Sequence, residues 1–177
     1  MYFDILISLI RGFFYSIKII LHGGKTGKLL RVGRNCRINI RKGSQIYLDD
    51  YVILGDGVKL SVLNGGKIRI GSNSRIGDYS QLVSHNEITI DSGCNVGPHV
   101  YMFDHDHKYD TNGVKRNEYI IGTIQIGQNS WIGVNTVILR NTTIGQNCVI
   151  GAGSLVKGII EDSTRYIQTR VENKKRV

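Results

Sequence analysis

Proline is nearly absent from this chain, since Pro98 is the only one among 177 residues. Glycine is frequent instead, with 22 residues, which suits a chain that turns every few residues and needs positive φ angles there. Cysteine is scarce too, and three widely spaced cysteines exclude a disulfide framework. The apolar fraction of 41% is ordinary for a globular protein, so disorder is not expected.

Long uninterrupted apolar runs are also missing. The most apolar stretch, residues 1–22, is broken by Asp4, Arg11 and Lys18, and it lacks the small-residue cleavage site of a secretory signal. Those three residues are seven apart, which predicts an amphipathic helix with a narrow charged stripe and a wide apolar face. Such a helix packs against the next domain or a neighbouring subunit, or it lies in a membrane interface. Gly23-Gly24 is expected to end it.

The charge balance is strongly basic, with a formal net charge of +9. This excess indicates either a solvated basic surface or an anionic partner, namely an anionic ligand or an anionic membrane face. The sequence contains no helix-turn-helix, zinc-knuckle or aromatic RNA-binding motif, so no nucleic-acid partner is expected.

An aliphatic residue recurs every six positions in the second half of the chain. The block starts are Ile126, Ile132, Ile138, Ile144, Ile150 and Val156. The fifth place of the first five blocks is small: Ser130, Thr136, Thr142, Cys148 and Ser154. A period of six fits neither a helix nor an ordinary strand. It predicts a solenoid in which each block is one short strand and one turn, and three blocks close one triangular coil.

The same repeat accounts for the cysteines. Each of Cys36, Cys94 and Cys148 follows an aliphatic block start by four residues, which is the small inward position. A free thiol packs there as a small hydrophobe. We therefore expect three structural thiols and a reducing compartment.

Counting residues predicts the register of the coils. Residues eighteen apart should stack directly on neighbouring coils, whereas Ile70 and Ile90 are twenty apart, so two extra residues are expected near residues 84–87. Between residues 25 and 66 the spacing slips. We expect these early coils to carry insertions and to act as a cap.

The repeat stops once, at residues 103–122. Ile90 and Ile126 are thirty-six residues apart, which is the length of two coils. The stretch therefore contains either one additional coil or an excursion from the solenoid. It is rich in Asp, His, Lys, Asn and Tyr and has no block pattern. We interpret it as a loop projecting from a corner, and long irregular loops inside compact domains are usually functional.

Two histidines are predicted to meet at that corner. His85 lies fifteen residues after Ile70, and His105 lies fifteen after Ile90, so they occupy equivalent places on adjacent coils about 4.8 Å apart. A metal site needs three or four converging ligands, but neighbours in the segment 104–107 point in opposite directions if it is extended. A single general base requires only one imidazole near neutral pKa.

Six segments resemble the hexapeptide-repeat acyltransferases, and most of all the sugar O-acetyltransferases of the maltose/galactoside type and of bacterial surface-polysaccharide synthesis. They are residues 124–133, 137–138, 143–145 and 150–156 in the repeats, and 84–86 and 103–107 upstream. The resemblance implies a mainly β fold, a left-handed parallel β-helix. It also implies a homotrimer with active sites between subunits, and acetyl-CoA as the acyl donor.

On this basis we divide the chain into three parts. Residues 1–22 are an amphipathic N-terminal helix, residues 23–160 are the hexapeptide-repeat β-helix with the loop 103–122, and residues 161–177 are a C-terminal tail.

The resemblance also implies roles for individual residues on the acceptor side. His105 is the catalytic base, which takes the proton from a sugar hydroxyl as the oxygen attacks the thioester carbon. His85 would orient that hydroxyl. Asp104 and His107 are further candidates for contact with the substrate.

On the donor side, the resemblance implies that the Val134 N–H stabilises the oxyanion. Trp131 would form a wall along the pantetheine arm, and the Ala152 N–H would bond to it. Lys157 is the main candidate for the coenzyme phosphates, with the basic tail beyond it. No metal is required.

After Lys157 the chain departs from the family's usual Lys-Asp-Ile-Pro ending, because Gly158-Ile159-Ile160 follows. The contacts to the adenine and the 3′-phosphate are therefore the least defined, and Arg165 and Arg170 are additional candidates for them.

The predicted function is acetyl-CoA-dependent O-acetylation of a sugar hydroxyl, in the cytoplasm or at the inner face of the membrane. Other acyl transfer stays open as an alternative, to a sugar-nucleotide amine or to serine. Serine acetyltransferases usually carry a large helical N-terminal domain, for which residues 1–22 are too short. A γ-class carbonic anhydrase and a non-catalytic scaffold are the remaining alternatives.

Overall fold

The computed structural model describes residues 2–169, which form one α-helix and a parallel β-solenoid of about six turns. The helix α1 is Tyr2–Leu21. Arg170 and the basic tail, which were predicted to contact the coenzyme phosphates, lie outside the described residues.

The strands follow one another along the chain with few residues between them. The first six are β1 Lys25–Thr26, β2 Arg31–Val32, β3 Arg37–Ile40, β4 Gln45–Leu48, β5 Ile53–Leu54 and β6 Lys59–Val62. The next six are β7 Lys67–Ile70, β8 Arg75–Ile76, β9 Gln81–Ser84, β10 Glu87–Ile90, β11 Asn95–Val96 and β12 Tyr101–Phe103. A hairpin of β13 His105–Asp110 and β14 Gly113–Ile121 follows. The last six are β15 Thr123–Ile126, β16 Trp131–Ile132, β17 Val137–Ile144, β18 Val149–Ile150, β19 Leu155–Ile160 and β20 Arg165–Tyr166.

The solenoid has three faces, each built from parallel strands of successive coils. Face A begins with β1, β4 and β7, face B with β2, β5 and β8, and face C with β3, β6 and β9. Faces A and C belong to one 11-stranded sheet, because β17 and β19 run unbroken around the corner between them. The predicted mainly β solenoid is confirmed, and its left hand rests on the family resemblance.

The core is a stack of aliphatic residues in the predicted register. Ile126 pairs with Ile144 eighteen residues on, and Ile70 pairs with Ile90 twenty residues on. The small residues at the fifth place of the blocks are all buried, and so are the three free cysteines. Both patterns follow from the corner geometry, because only a small side chain fits inside the turn of a coil.

The glycine that follows most block starts is explained by the contact between coils. A Cβ atom on Gly133 would lie 2.5 Å from the backbone nitrogen of Ala152 in the next coil, far inside van der Waals contact. Two places later the backbone takes a positive φ, 58° at Asn135, and asparagine tolerates this conformation better than most residues. Most turns therefore begin with Gly, and the third place, which has a positive φ in every A–B and B–C turn, is Asn or Gly in most of them. The exceptions at the third place are Leu29, Tyr51, Tyr79, His99 and Ser163.

Two corners have constant length and the third does not. Four residues separate the strands at the A–B and B–C corners of every coil. At the C–A corner the connections contain four residues (41–44 and 63–66), then two (85–86), then nineteen (104–122), and then none where β17 is continuous. The early coils are therefore regular 22-residue repeats. They carry the expected insertions relative to an 18-residue coil, and the four extra residues all lie at this one corner.

The long connection is an excursion and not a coil. Ile90 pairs directly with Ile126, so the solenoid continues as if residues 104–122 were absent. Within the excursion β13 and β14 pair in antiparallel fashion, with a register shift between His107 and Lys108. The sequence predicted a loop here, and the structure shows an ordered hairpin.

The helix α1 covers the first coil with its polar side. Arg11 Nε donates to the Val32 carbonyl at 2.9 Å, and Lys18 Nζ donates to the Ile38 carbonyl at 2.6 Å. The charged stripe therefore donates hydrogen bonds to the open backbone edge of the first coil. The cap of the solenoid is thus α1, a role that was expected of the early coils. The helix ends at Gly23, which has a φ of 78°.

Within residues 2–169, the structure has no helix with the length and apolar character needed to span a bilayer.

Candidate active site

The C–A corner brings His85 and His105 into contact. Val83 pairs with Phe103 across β9 and β12, so the residues that follow these strands lie side by side. The two imidazole rings stack with centroids 3.9 Å apart and planes 26° from parallel. The predicted closeness of the two histidines is thus observed in the structure.

Asp104 organises this corner from within. Its side chain is fully buried and accepts hydrogen bonds from Ser84 Oγ at 2.7 Å and from the backbone N–H groups of His85 and Asn86 at 2.8 and 2.9 Å. The His105 Nδ1 atom lies 3.2 Å from the same carboxylate. Burial alone would raise the pKa of Asp104, but these hydrogen bonds outweigh it and hold the pKa below its ordinary value.

The hydrogen bonds also indicate a tautomer for each histidine. When Nδ1 of His105 donates to Asp104, its Nε2 is left free to accept a proton. The Asn64 side-chain amide lies 2.9 Å from Nδ1 of His85 and donates to it, so the proton of His85 is on Nε2. Burial, helped by the neighbouring imidazoles of His105 and His107, lowers the pKa of His85 and favours its neutral form.

Tyr119 completes the cluster, and the sequence reasoning missed it. Its ring centroid lies 4.3 Å from that of His85, 5.4 Å from that of His105 and 4.8 Å from that of His107. Tyr119 pairs with His107 across the hairpin, so the two side chains share one face of it. Tyr119 lies outside the six-residue repeat, so no counting of blocks points to it.

The base of the hairpin is fixed to the solenoid on two sides. Arg140 on β17 forms an ion pair with Asp106, and the Asn86 side-chain amide donates to the Gly122 carbonyl at 3.1 Å. Gly122 in turn donates its N–H to the Asp104 carbonyl at 2.7 Å. The ring of His105 is therefore held by a connected set of polar contacts.

A cavity of about 590 Å³ opens beside His85. It is lined by Asn64, Asn117 and Tyr119, and by the two exposed cations Arg41 and Lys42 on the turn of the first coil. The surface thus offers amide, aromatic and cationic groups next to the histidine pair. These are the groups that bind hydroxyl and anionic parts of a ligand.

Most of the residues predicted for the acyl donor lie elsewhere, toward the B–C corner, whereas Lys157 lies at the C–A corner, just after the last residue of β19 that pairs on face C. Trp131 is half-exposed on face B, Val134 and Ala152 occupy the same turn position in consecutive coils, and Lys157 is exposed on β19. Arg165, an additional candidate, is exposed on β20.

One backbone feature sets Val134 and Ala152 apart from earlier coils. At the same turn position, the N–H of Arg34 donates to the Asp56 carboxylate, and the N–H of Asp56 donates to Asp78. No aspartate continues this ladder, and within residues 2–169 neither the Val134 N–H nor the Ala152 N–H has a hydrogen-bond partner. Both groups are open to a ligand.

The two halves of the predicted site do not meet in one chain. Four residues of face C separate the B–C corner from the C–A corner, a distance of about 13 Å at the rise of a β-strand. A base and an oxyanion donor that act on one carbonyl must each lie about 3 Å from the reacting atoms. His105 and Val134 of the same chain cannot satisfy this together.

The histidine cluster does not have the arrangement of a metal centre. Among the described residues, no group of three or more His, Cys, Asp or Glu side chains is placed to hold a metal ion. Nδ1 of His85 and Nδ1 of His105 are instead engaged by Asn64 and Asp104.

Comparison with known proteins points to one group of enzymes. Residues 123–158 match the family model for the bacterial transferase hexapeptide (six repeats). The chain is 29% identical over 145 residues to WbbJ of Escherichia coli K12, which is named as a lipopolysaccharide biosynthesis O-acetyl transferase, and the match covers 74% of each protein.

Two solved structures have similar folds. The N-acyltransferase AntD from Bacillus cereus, in complex with dTDP and coenzyme A, has a TM-score of 0.70 and 21% identity, with 85% of this chain and 84% of AntD covered. The hexapeptide-repeat acetyltransferase VCA0836 from Vibrio cholerae, in complex with acetyl-CoA, has a TM-score of 0.54 and 25% identity, with coverage of 69% and 62%. These comparisons confirm the predicted family resemblance and the predicted enzyme class.

Proposed function

We infer that this chain, a hexapeptide-repeat acyltransferase, transfers the acetyl group of acetyl-CoA to a sugar hydroxyl during the synthesis of a bacterial surface polysaccharide. The observation that carries this proposal is the Asp104–His105–His85 arrangement at the C–A corner. It provides one imidazole with a fixed tautomer, a second one that is neutral, and a cavity beside them.

His105 is the general base of the proposed reaction. Asp104 keeps the proton of His105 on Nδ1, so Nε2 takes the proton of the acceptor hydroxyl while that oxygen attacks the thioester carbon. When the carbon–sulfur bond breaks, the proton passes from Nε2 to the departing thiolate of coenzyme A. Asp104 is buried and already accepts four hydrogen bonds, so it acts through His105 as a positioning residue and does not touch the sugar.

His85 orients the acceptor. The Nε2–H group of His85 is free to donate to an oxygen of the acceptor, because Nδ1 already accepts a hydrogen bond from Asn64. The lowered pKa of His85 keeps its imidazole neutral near pH 7. A neutral donor positions a hydroxyl without protonating the base beside it. His107 supports the cluster through its contact with Tyr119.

The donor edge fits an extended thioester with amide groups. The open N–H of Val134 is suited to the developing oxyanion, and the open N–H of Ala152 to a pantetheine carbonyl. Trp131 offers an exposed aromatic wall nearby, and Lys157 offers a cation for a phosphate.

The complete site forms between two subunits of a trimer. Because the base and the oxyanion donor of one chain are about 13 Å apart, the C–A corner of one subunit must face the B–C corner of its neighbour. A threefold arrangement of this kind gives three equivalent sites.

A glycan of the cell surface is the acceptor we favour. The relative WbbJ is named for lipopolysaccharide biosynthesis, and the cavity beside His85 carries amide and cationic groups. We place the reaction in the cytoplasm, where acetyl-CoA is available and where three free thiols stay reduced. Peripheral contact with the membrane through residues 1–22 is supported by the exposed apolar face of α1.

The test is acetyl-CoA turnover, followed by release of free thiol, with a panel of sugars, sugar nucleotides and amino sugars. We expect hydroxyl acceptors to be used, and His105→Ala to lower kcat by about 10²-fold or more while coenzyme A affinity, measured by calorimetry, is unchanged. His22→Ala, on the exposed end of α1, is the matched control and should keep full activity.

Three results would count against the proposal. Full activity in His105→Ala would show that His105 is not the general base. A strict preference for an amine acceptor would make the enzyme an N-acetyltransferase. Loss of activity on chelation, restored by zinc or iron, would favour the carbonic anhydrase alternative.

A further inference from the structure

The outward face of α1 is apolar along its whole length. Its exposed apolar residues recur at spacings of three and four, so they form one continuous stripe on the side away from the solenoid. They are Phe3, Leu6, Ile10, Phe13, Ile17 and Ile20, flanked by Phe14 and Leu21. The inward side is already occupied, since Arg11, Tyr15 and Lys18 bond to the first coil. An exposed apolar patch of this size marks an interaction surface.

The positive charge of the protein is concentrated at the same end. Residues 1–48 contain nine Lys or Arg and one acid, Asp4, which gives a formal charge of 9 − 1 = +8. Residues 49–177 contain fourteen Lys or Arg and thirteen acids, which gives 14 − 13 = +1. Nearly the whole net charge of +9 therefore belongs to α1 and the coils next to it.

These cations form a ring around the coil that α1 covers. Exposed basic side chains stand on all sides of the first coil: Lys25, Lys28, Arg34, Arg37, Arg41 and Lys42. The diameter of a helix, about 10 Å, separates this coil from a surface touching the outer side of α1. Long Lys and Arg side chains cover most of that distance, and the Debye length at physiological salt is about 8 Å.

A further donor lies between α1 and the solenoid. A cavity of about 640 Å³ there is lined by four arginines, Arg11, Arg31, Arg34 and Arg75, and by three aspartates. The Nε atom of Arg31 is buried and has no hydrogen-bond partner within residues 2–169. Because this atom has no exposed surface and the cavity also contains carboxylates, it lies apart from the basic ring.

We propose that this end of the protein docks on an anionic lipid bilayer, with the apolar stripe of α1 in the interface and the basic ring of the first coil over the lipid headgroups. The stripe supplies apolar area and the ring supplies charge complementarity, the two contributions by which interfacial helices bind. The docking is independent of acetyl transfer. Its consequence for the enzyme is that the C–A corner, which starts with Arg41 and Lys42 on the first coil, faces lipid-linked acceptors.

The test is co-sedimentation of the full chain with two kinds of vesicle, phosphatidylcholine alone and phosphatidylcholine with about 30% phosphatidylglycerol. We expect binding to the anionic vesicles to be at least about tenfold stronger, and to weaken as salt is added. Phe13→Glu/Ile17→Glu should abolish most of this binding. The matched control Tyr109→Glu/Ile159→Glu adds the same charge at exposed apolar residues away from α1 and should bind like the unchanged protein.

The contribution of charge is tested separately. Lys25→Gln/Lys28→Gln/Arg37→Gln should weaken binding to anionic vesicles by about tenfold or more, because each cation near an anionic surface contributes roughly fivefold. Lys59→Gln/Lys67→Gln/Arg165→Gln removes equal charge from later coils and should change binding much less.

Two outcomes would overturn the proposal: vesicle binding by the Phe13→Glu/Ile17→Glu variant equal to that of the unchanged protein, or no binding by the unchanged protein. In the second case, a lower mass of the variant in light scattering would assign the stripe to a contact between copies. Circular dichroism checks the fold of each variant. Thiol release with a soluble sugar reports the catalytic proposal independently, since the stripe is remote from the histidine pair.

Discussion

At the scale of single residues, the candidate site depends on one buried carboxylate. Asp104 has no exposed surface, and all four of its hydrogen-bond donors belong to residues of the C–A corner. A buried charge is tolerated only when it is fully paired in this way. The same bonds that stabilise the charge also fix the two histidines relative to each other.

Asp104→Asn should separate these two effects. The amide keeps the shape of the carboxylate but cannot accept all four hydrogen bonds, so we expect kcat to fall about 10²-fold or more and the free energy of unfolding to fall by about 1–3 kcal/mol. Thiol-release kinetics and urea unfolding measure the two. Asp49→Asn, on an exposed residue of the A–B turn after β4, is the control and should change each much less. Unchanged kcat in Asp104→Asn would mean that His105 does not depend on this carboxylate.

The lowered pKa of His85 makes stability depend on pH. The imidazole is disfavoured as a cation in the folded protein, so the unfolded chain binds a proton that the folded chain does not. The free energy of unfolding should therefore fall as the pH drops below 6.5, the ordinary value, until the pH reaches the folded pKa. Urea unfolding at several pH values should show a smaller decline for His85→Gln. An identical decline in both proteins would contradict this, and His22→Gln should leave it unchanged.

At the scale of the elements, the glycine that begins most turns is required by the spacing between coils. Gly133→Ala places a Cβ atom 2.5 Å from the Ala152 backbone, which forces the coils apart, so we expect a loss of about 2 kcal/mol or more. Gly151 is the natural control: it has the same turn position, but the nearest atom to an added Cβ is 3.3 Å away. Gly151→Ala should cost less than about 1 kcal/mol in urea unfolding. Equal losses of stability in the two variants would show that the contact between coils does not determine whether a turn begins with glycine.

The hairpin contributes Tyr119 to the histidine cluster by packing and not through its hydroxyl. Within residues 2–169 that hydroxyl donates only to the Arg116 carbonyl, at 3.2 Å, so Tyr119→Phe should keep nearly full activity. Tyr119→Ala removes the ring between three imidazoles and should lower kcat/KM by about tenfold. The exposed Tyr109→Ala is the control in the thiol-release assay. A strong effect of Tyr119→Phe would instead assign the hydroxyl a direct role.

The elements differ in how far the sequence predicts them. The period of six predicts the solenoid, its register and the buried cysteines, because each block repeats one local contact with the next coil. The closeness of His85 and His105 follows from the same count. The hairpin and the role of Tyr119 could not be predicted, because the excursion occurs once and the sequence has no second copy to compare it with. The inward direction of the charged side chains of α1 could not be predicted either. It depends on backbone carbonyls of the first coil, which a helical pattern alone does not reveal.

At the scale of the whole molecule, the proposed site needs two chains, and this is open to a direct test. His105→Ala lacks the base, and Ala152→Phe blocks the donor edge, so each homotrimer should be nearly inactive. Co-expression with two different tags, followed by tandem purification, gives mixed trimers. If each site combines the C–A corner of one chain with the B–C corner of another, one of the three sites in every purified mixed trimer, about a third, has both halves intact. Absence of any recovered activity would place the whole site within one chain.

The constant lengths of two corners have a consequence for how such enzymes diversify. The register of every coil is set at the A–B and B–C corners, so a change of length in the outer part of the excursion shifts no residue of the aliphatic core. The hairpin beyond the histidine cluster is thus a cassette: a segment of another length or sequence can replace residues 108–118 while His105, Tyr119, the core and the donor edge stay as they are. Exchange of this one segment is a route to a new acceptor, because the scaffold formed by the repeats does not depend on it.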